Sequence, residues 1–200
     1  MKRIITLTLA ALMIFVFTSC GQKDEPQSVG GWELSPDATV TDDAKAAFEK
    51  AMEGLDGVSY EPVALLGTQV VAGMNYCFLC EATVVAPEAK PYYSLIYVYA
   101  DLQDNAEVTK IIAMDLGKVM EDGVVEDLQP ESGNLTGAWA VDREGSVEAD
   151  DSVLHLASQV VAGTNHCVLC KGWTLTFIYE DLQGKTEVLK SVPLDISALA

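Results

Sequence analysis

"QVVAGMNYCFLC" runs from Gln69 to Cys80, and "QVVAGTNHCVLC" runs from Gln159 to Cys170, with nine of the twelve positions identical. A self-match of this length sets the architecture before any other feature is read. In each copy a β-branched pair reaches a glycine and the chain leaves in a largely apolar run, the pattern of strand, tight turn and strand. Downstream the match continues. "YYSLIYVYADLQDNAEVTKIIAMDL" (92–116) and "TLTFIYEDLQGKTEVLKSVPLDI" (174–196) both carry D-L-Q and then E-V-x-K. In both, an apolar strand enters a polar turn and a second strand leaves it, a β-hairpin. Upstream, "GGW" at Gly30 is echoed by "GAW" at Gly137.

The copies differ in one element. In "TVTDDAKAAFEKAMEGL" (39–55) Thr41 is a candidate N-cap with acids in the turn that follows. Ala44, Ala47, Phe48, Ala51, Met52 and Leu55 recur at helical spacing, which predicts an amphipathic helix of about four turns ending near Gly54 or Gly57. Between Trp139 and Gln159 no comparable helix fits. Along the strand after Gly73, alternation puts Tyr76, Phe78, Cys80, Ala82 and Val84 on one face, which should receive the helix. Asn75, Cys77, Leu79, Glu81 and Thr83 fall on the other. The expected fold class is α+β. An antiparallel sheet wraps on one helix in residues 30–127, and a truncated, mostly-β repeat without the long helix follows in 128–200.

The first residues read as a targeting segment. "MKR" is a positive n-region and "IITLTLAALMIFVF" an apolar run short for a bilayer span. "FTSCG" then resembles the lipobox of a bacterial lipoprotein, with Phe17 where that motif prefers Leu. The resemblance implies a signal peptide over 1–19, lipidation of Cys20, a polar tether over 20–29 and an exported, envelope-bound protein at the outer membrane or cell surface. An ordinary secretory signal with an incidental cysteine is the alternative. The net charge is −18, with 30 acidic and 12 basic residues; loss of Lys2 and Arg3 with the signal leaves ten basic residues and −20. Such a chain does not bind nucleic acid or anionic lipid through its own surface.

Q-V-V-A-G-x-N resembles the Q-x-V-x-G hairpin of the cystatin superfamily, inhibitors of papain-like cysteine proteases. The order also agrees: the glycine pair Gly30–Gly31, one helix, the QVVAG turn and a final hairpin. The resemblance covers about residues 30–117, and about 137–196 without the helix. It implies an inhibitor that is not an enzyme, needs no cofactor and has a papain-like protease as its partner. Its wedge would be built by Gly30, Gly31, Gln69, Val70, Val71, Ala72, Gly73 and Leu102, with Gln159, Val160, Val161, Ala162, Gly163 and Leu182 in the second copy. The last hairpin of the family carries Pro-Trp; here Asp101-Leu102 and Asp181-Leu182 stand instead, which should weaken that edge. The physical requirement is plain. A small, rigid turn must fill a narrow cleft without presenting a cleavable carbonyl to the thiolate. The alternative is a non-inhibitory binding or structural lipoprotein built on the same repeat.

Cys77, Cys80, Cys167 and Cys170 admit three readings. An oxidising location favours disulfides, two Cys-x-x-Cys pairs could hold zinc, and buried free thiols pack as small apolar residues. Within a pair, three residues of extended strand separate the α-carbons by about 10 Å, beyond a disulfide's reach of about 7 Å, so a bond there needs a bulge. Cross-repeat bonds such as Cys77 with Cys167 would instead staple the two halves. His155 and His166 have no recognisable catalytic partner in sequence, and no catalytic constellation is visible.

Overall fold

The computed structural model describes residues 30–125, 139–147 and 149–200. The expected signal peptide, Cys20, the tether and the expected boundary at 127/128 lie outside the described residues. No described helix is long and apolar enough to cross a membrane.

The first repeat contains strand β1 (Trp32–Leu34), helix α1 (Asp42–Ala51), strands β2 (Val58–Val71), β3 (Gly73–Val84), β4 (Tyr92–Ala100) and β5 (Ala106–Met114), and helix α2 (Leu116–Asp122). The second contains β6 (Ala140–Val141), β7 (Ser152–Val161), β8 (Gly163–Cys170), β9 (Thr174–Glu180), β10 (Thr186–Pro193) and α3 (Ile196–Leu199). Each set of strands forms one antiparallel sheet in chain order, β1 to β5 and β6 to β10.

The expected fold class is corrected here. The chain is mostly β, two five-stranded antiparallel sheets with a few short helices, and not a sheet wrapped on one helix. The sheets face each other across one core that mixes Leu66, Cys77, Leu79, Leu95 and Tyr97 of the first with Leu156, Cys167, Leu169, Trp173 and Phe177 of the second. Helix α1 is capped as expected, with Thr41 Oγ1 accepting from the Ala44 N–H at 3.3 Å. It stops at Ala51, ten residues, and leaves Leu55 exposed. Ala44, Phe48 and Ala51 pack on the outer face of the first sheet, against Leu65, Phe78, Cys80, Ile96 and Val98. Both faces of β3 are therefore apolar for different reasons: one meets the helix and the other meets the second sheet.

The two repeats are related by reciprocal contacts. Each long second strand carries bulges at matching positions, so Leu66 in β2 and Leu156 in β7 drop out of the ladder. The Leu66 carbonyl accepts from the Ser35 N–H and from Trp173 Nε1–H across the core. The Leu156 carbonyl accepts from the Asp142 N–H at 2.9 Å and from Tyr93 O–H at 2.9 Å. Tyr93 and Trp173 occupy equivalent places, one at the base of β4 and one just before β9. The ends repeat the exchange: Lys110 Nζ donates to the Leu199 carbonyl at 2.7 Å, and Lys190 Nζ donates to the Glu121 carbonyl at 2.8 Å.

These contacts decide how the sheets are stacked. Leu66 lies toward the turn end of the first sheet, whereas Trp173 lies at the far end of the second; Tyr93 and Leu156 repeat this in reverse. Tyr97 O–H, near the first turn, likewise donates to the Ile196 carbonyl beyond the base of the second sheet at 2.9 Å. The stacking is head to tail, so the two QVVAG turns lie at opposite ends of the sandwich.

A shared core should melt as one unit. Thermal and urea unfolding are expected to show a single transition by near- and far-ultraviolet circular dichroism. Tyr93→Phe, which strips the Leu156 carbonyl of its cross-sheet donor, should cost about 1 kcal/mol and lower Tm by about 2–4 °C. Two transitions assignable to separate repeats would contradict the shared core.

Candidate functional site

The first turn is built by its own polar residues. Gln69 and Asn75 are cross-strand partners, and Val71 pairs with Gly73, leaving Ala72 alone at the tip. Asn75 Nδ2 donates to Gln69 Oε1 at 2.7 Å, and Gln69 Nε2 donates to the Gly30 carbonyl at 2.7 Å. That second bond ties the expected glycine segment to the turn. Tyr99 O–H, from β4, donates to the Ala72 carbonyl at 2.6 Å. Gly73 has φ +133°, and a β-carbon there would stand 2.2 Å from the Ala100 carbonyl oxygen. Only glycine permits that approach.

The β4–β5 turn lies beside this tip, because Met74 pairs with Ala100. Asp101 Oδ1 accepts from the Gln103 and Asn105 N–H groups at 2.8 and 2.9 Å, and Asn105 Nδ2 donates to Asp101 Oδ2 at 2.9 Å. These bonds, the Asn105 side chain first, hold the Asp101 carboxyl below its usual pKa. The carboxylate is thus folded into its own turn. Leu102 is pushed outward, 78% exposed, and Val70 on the neighbouring tip is 45% exposed. Gly30, Gly31, Gln69, Val70, Val71, Ala72, Gly73 and Leu102 all gather at one end of the first sheet, with Val70, Val71 and Leu102 supplying apolar surface to solvent.

The second repeat reproduces the tip and its neighbouring turn, while Gly137, the counterpart of the Gly30 segment, lies outside the described residues. Asn165 Nδ2 donates to Gln159 Oε1 at 2.8 Å, and Tyr179 O–H donates to the Ala162 carbonyl at 2.5 Å. Gly163 has φ +131°, and a β-carbon there would stand 2.4 Å from the Glu180 carbonyl oxygen. Asp181 Oδ1 accepts from the Gln183 and Lys185 N–H groups, both at 2.9 Å. Val160 and Leu182 are 84% and 82% exposed.

The four cysteines take no part in either tip. All are free and buried. Cys77 and Cys167 face the shared core, whereas Cys80 lies under α1 and Cys170 lies on the outer face of the second sheet. The members of each pair thus sit on opposite faces of their strand, which leaves no bridge within a pair. The disulfide expectation gives way to free thiols. Among the described residues no three Cys, His, Asp or Glu side chains converge as metal ligands, so the zinc reading finds no site. Burial pushes the Cys77 thiol up to about 12 and raises Cys80 and Cys167 as well, which removes them from thiolate chemistry near neutral pH.

A polar cluster that sequence reasoning missed stands where the second repeat lacks its helix. His155 and His166 occupy the places of Leu65 and Tyr76, which pack beneath α1 in the first repeat. His155 Nε2 and His166 Nδ1 are 3.0 Å apart, His155 Nδ1 meets the Asp142 carbonyl, and His166 Nε2 meets Glu180 Oε2 at 3.2 Å. Gly145 lies so close to the His155 ring that no β-carbon fits. Beside the cluster, a groove of about 340 Å³ is lined by Thr176, Ile178, Thr186, Val188 and Ser191. Their equivalents Ile96, Val98, Ala106, Val108 and Ile111 form the seat of α1. The groove is the corresponding seat, partly closed by Ala149 and Asp150.

Comparisons with family models, with curated proteins and with solved structures find no significant match.

The histidine chain makes a pH prediction. Burial, followed by the neighbouring His155, lowers the pKa of His166, and Glu180 only partly opposes this. A proton on each ring would set two N–H donors against each other across the 3.0 Å link. The unfolded state then binds more protons, so stability present above the ordinary histidine pKa of about 6.5 is lost as pH falls through the lowered value. The Tm drop between pH 8 and pH 5 should shrink by about 2–4 °C in His166→Gln. An unchanged drop would show that the pair carries no linkage.

Proposed function

We propose that this chain inhibits papain-like cysteine proteases by filling their cleft with a preformed turn. One observation carries the reading: the Gly30–Gly31 segment, the Val70–Gly73 tip and the Leu102 turn converge at one sheet end and present apolar side chains there. Nothing in the fold covers Leu102, and exposed apolar clusters rimmed by polar groups are binding surfaces more often than accidents. The cystatin-superfamily motif falls on these same residues. Rigidity adds support. Gln69, Asn75 and Tyr99 hold the tip from three sides, so little ordering entropy remains to be lost on docking. Ala72 is small enough for backbone to approach the cleft floor, and inhibition by occlusion requires no reactive group of the inhibitor.

The same observations describe the role of each motif residue. Gln69, Asn75, Gly73 and Asp101 build the turns, while Val70, Val71, Ala72 and Leu102 are the surface offered to a partner. Leu102 supplies less area than an aromatic anchor, so the edge contributes modestly to affinity. A lipid on Cys20 would tether the protein to the envelope ten residues before Gly30.

A second reading, a binding or structural lipoprotein without inhibitory activity, draws support from how fully Gln69, Gly73 and Asn75 are used in folding the turn. One assay separates the two. The soluble chain at micromolar concentration should slow papain hydrolysis of a small peptide substrate competitively. The double variant Val70→Asp/Val160→Asp alters only exposed tip positions. It should raise the inhibition constant at least about tenfold, the equivalent of about 1.4 kcal/mol. Absence of inhibition by the unmodified chain would leave the structural reading in possession.

A further inference from the structure

We infer that the chain is two-headed: the second QVVAG turn and its neighbouring hairpin turn form a second wedge, and one molecule holds two papain-like proteases at opposite ends. This rests on the inhibitory reading of the first turn and extends it to a separate, simultaneous docking event at the turn of the second copy. Three observations carry it.

The first is construction. Four devices that shape the first tip recur in the second: the Asn165–Gln159 bond, the Tyr179 bond to the tip carbonyl, the positive φ of Gly163 and the Asp181-closed neighbouring turn. Among the described residues the second repeat has no counterpart of α1, whose seat lies on the outer sheet face, and the bonds that shape the tip are present all the same.

The second is exposure. Val160 and Leu182 are the most exposed large apolar residues of the second repeat. Both side chains stand largely in solvent, 84% and 82% exposed, and the turn bonds above do not involve them. A turn serving only to connect β7 with β8 needs the glycine and the asparagine but has no use for an apolar tip in water.

The third is placement. Head-to-tail stacking points the two tips away from each other, separated by the length of the sandwich. Two bound proteases would approach from opposite ends and would not meet.

The test is the stoichiometry of the complex, measured by size-exclusion chromatography with light scattering, using excess papain whose nucleophilic cysteine has been replaced by alanine. The unmodified chain should saturate at two papain molecules. Val70→Asp should reduce this to one, Val160→Asp should also reduce it to one, and the double variant should bind none. Saturation at one, abolished by Val70→Asp and untouched by Val160→Asp, would overturn the second head while leaving the first wedge standing. No complex with the unmodified chain would overturn both. Each variant lies at an exposed tip residue, and a circular dichroism spectrum and Tm matching the parent confirm that lost binding is not lost folding.

Discussion

The exchange of one hydrogen bond in each direction between the sheets organises this molecule. A bulge in β2 frees the Leu66 carbonyl from its ladder, and Trp173 of the other sheet takes it; a bulge in β7 frees the Leu156 carbonyl, and Tyr93 takes it in return. Each carbonyl keeps one donor in its own repeat, the Ser35 N–H for Leu66 and the Asp142 N–H for Leu156, and the other repeat fills the second acceptor position, a bond worth about 1 kcal/mol. The apolar inner faces make the same demand on a larger scale, since the two sheets bury them against each other across one core.

From that reciprocity the position of everything functional follows. The donor in each sheet stands at the end far from its own turn, and the acceptor stands nearer to it. Satisfying both bonds forces the sheets to run head to tail and sends the two QVVAG tips to opposite ends. Lys110 and Lys190 close the arrangement by each binding the terminal helix carbonyls of the opposite repeat. The outer faces are then free to diverge. One keeps a helix over Leu65, Tyr76 and Phe78; the other replaces those positions with His155, His166 and Val168 and folds Asp142–Val147 over part of the gap. Divergence on an outer face leaves the tips unaffected, because the tip bonds run along the sheet and not through it.

Much of the site was legible in sequence. The turn, the glycine requirement, the neighbouring hairpin and the cap at Thr41 all rest on local chemistry that neighbouring residues dictate. Alternation in β3 correctly assigned Phe78 and Cys80 to the helix side. It also placed the paired cysteines on opposite faces, which leaves no bridge within either pair. The fold class was misjudged because Cys77 and Leu79 looked like a mixed, partly solvated face; their partner is a second sheet ninety residues away, which no local pattern announces. The helix was read a turn too long, since Met52 and Leu55 continue the apolar spacing although the sheet beneath them ends. The histidine cluster was missed because its members, Asp142, His155, His166 and Glu180, come from four separate segments that meet only where the helix is missing. Alignment of the two copies holds the clue: two polar rings standing opposite Leu65 and Tyr76 announce that the covering element has changed.

The head-to-tail arrangement is the central claim, and the distance between the tips tests it most directly. Spin labels attached to cysteines at the exposed positions 102 and 182 of the soluble chain can be measured by double electron–electron resonance, with the four native thiols protected from labelling by their burial. Contacts between Leu66 and Trp173 and between Tyr93 and Leu156 place the tips about fifteen strand positions apart. At about 3.3 Å each, this is a separation of roughly 40–50 Å. A single distribution in that range is the predicted result. A distribution centred near 10–20 Å, the spacing of two sheets stacked with their turns together, would contradict the account.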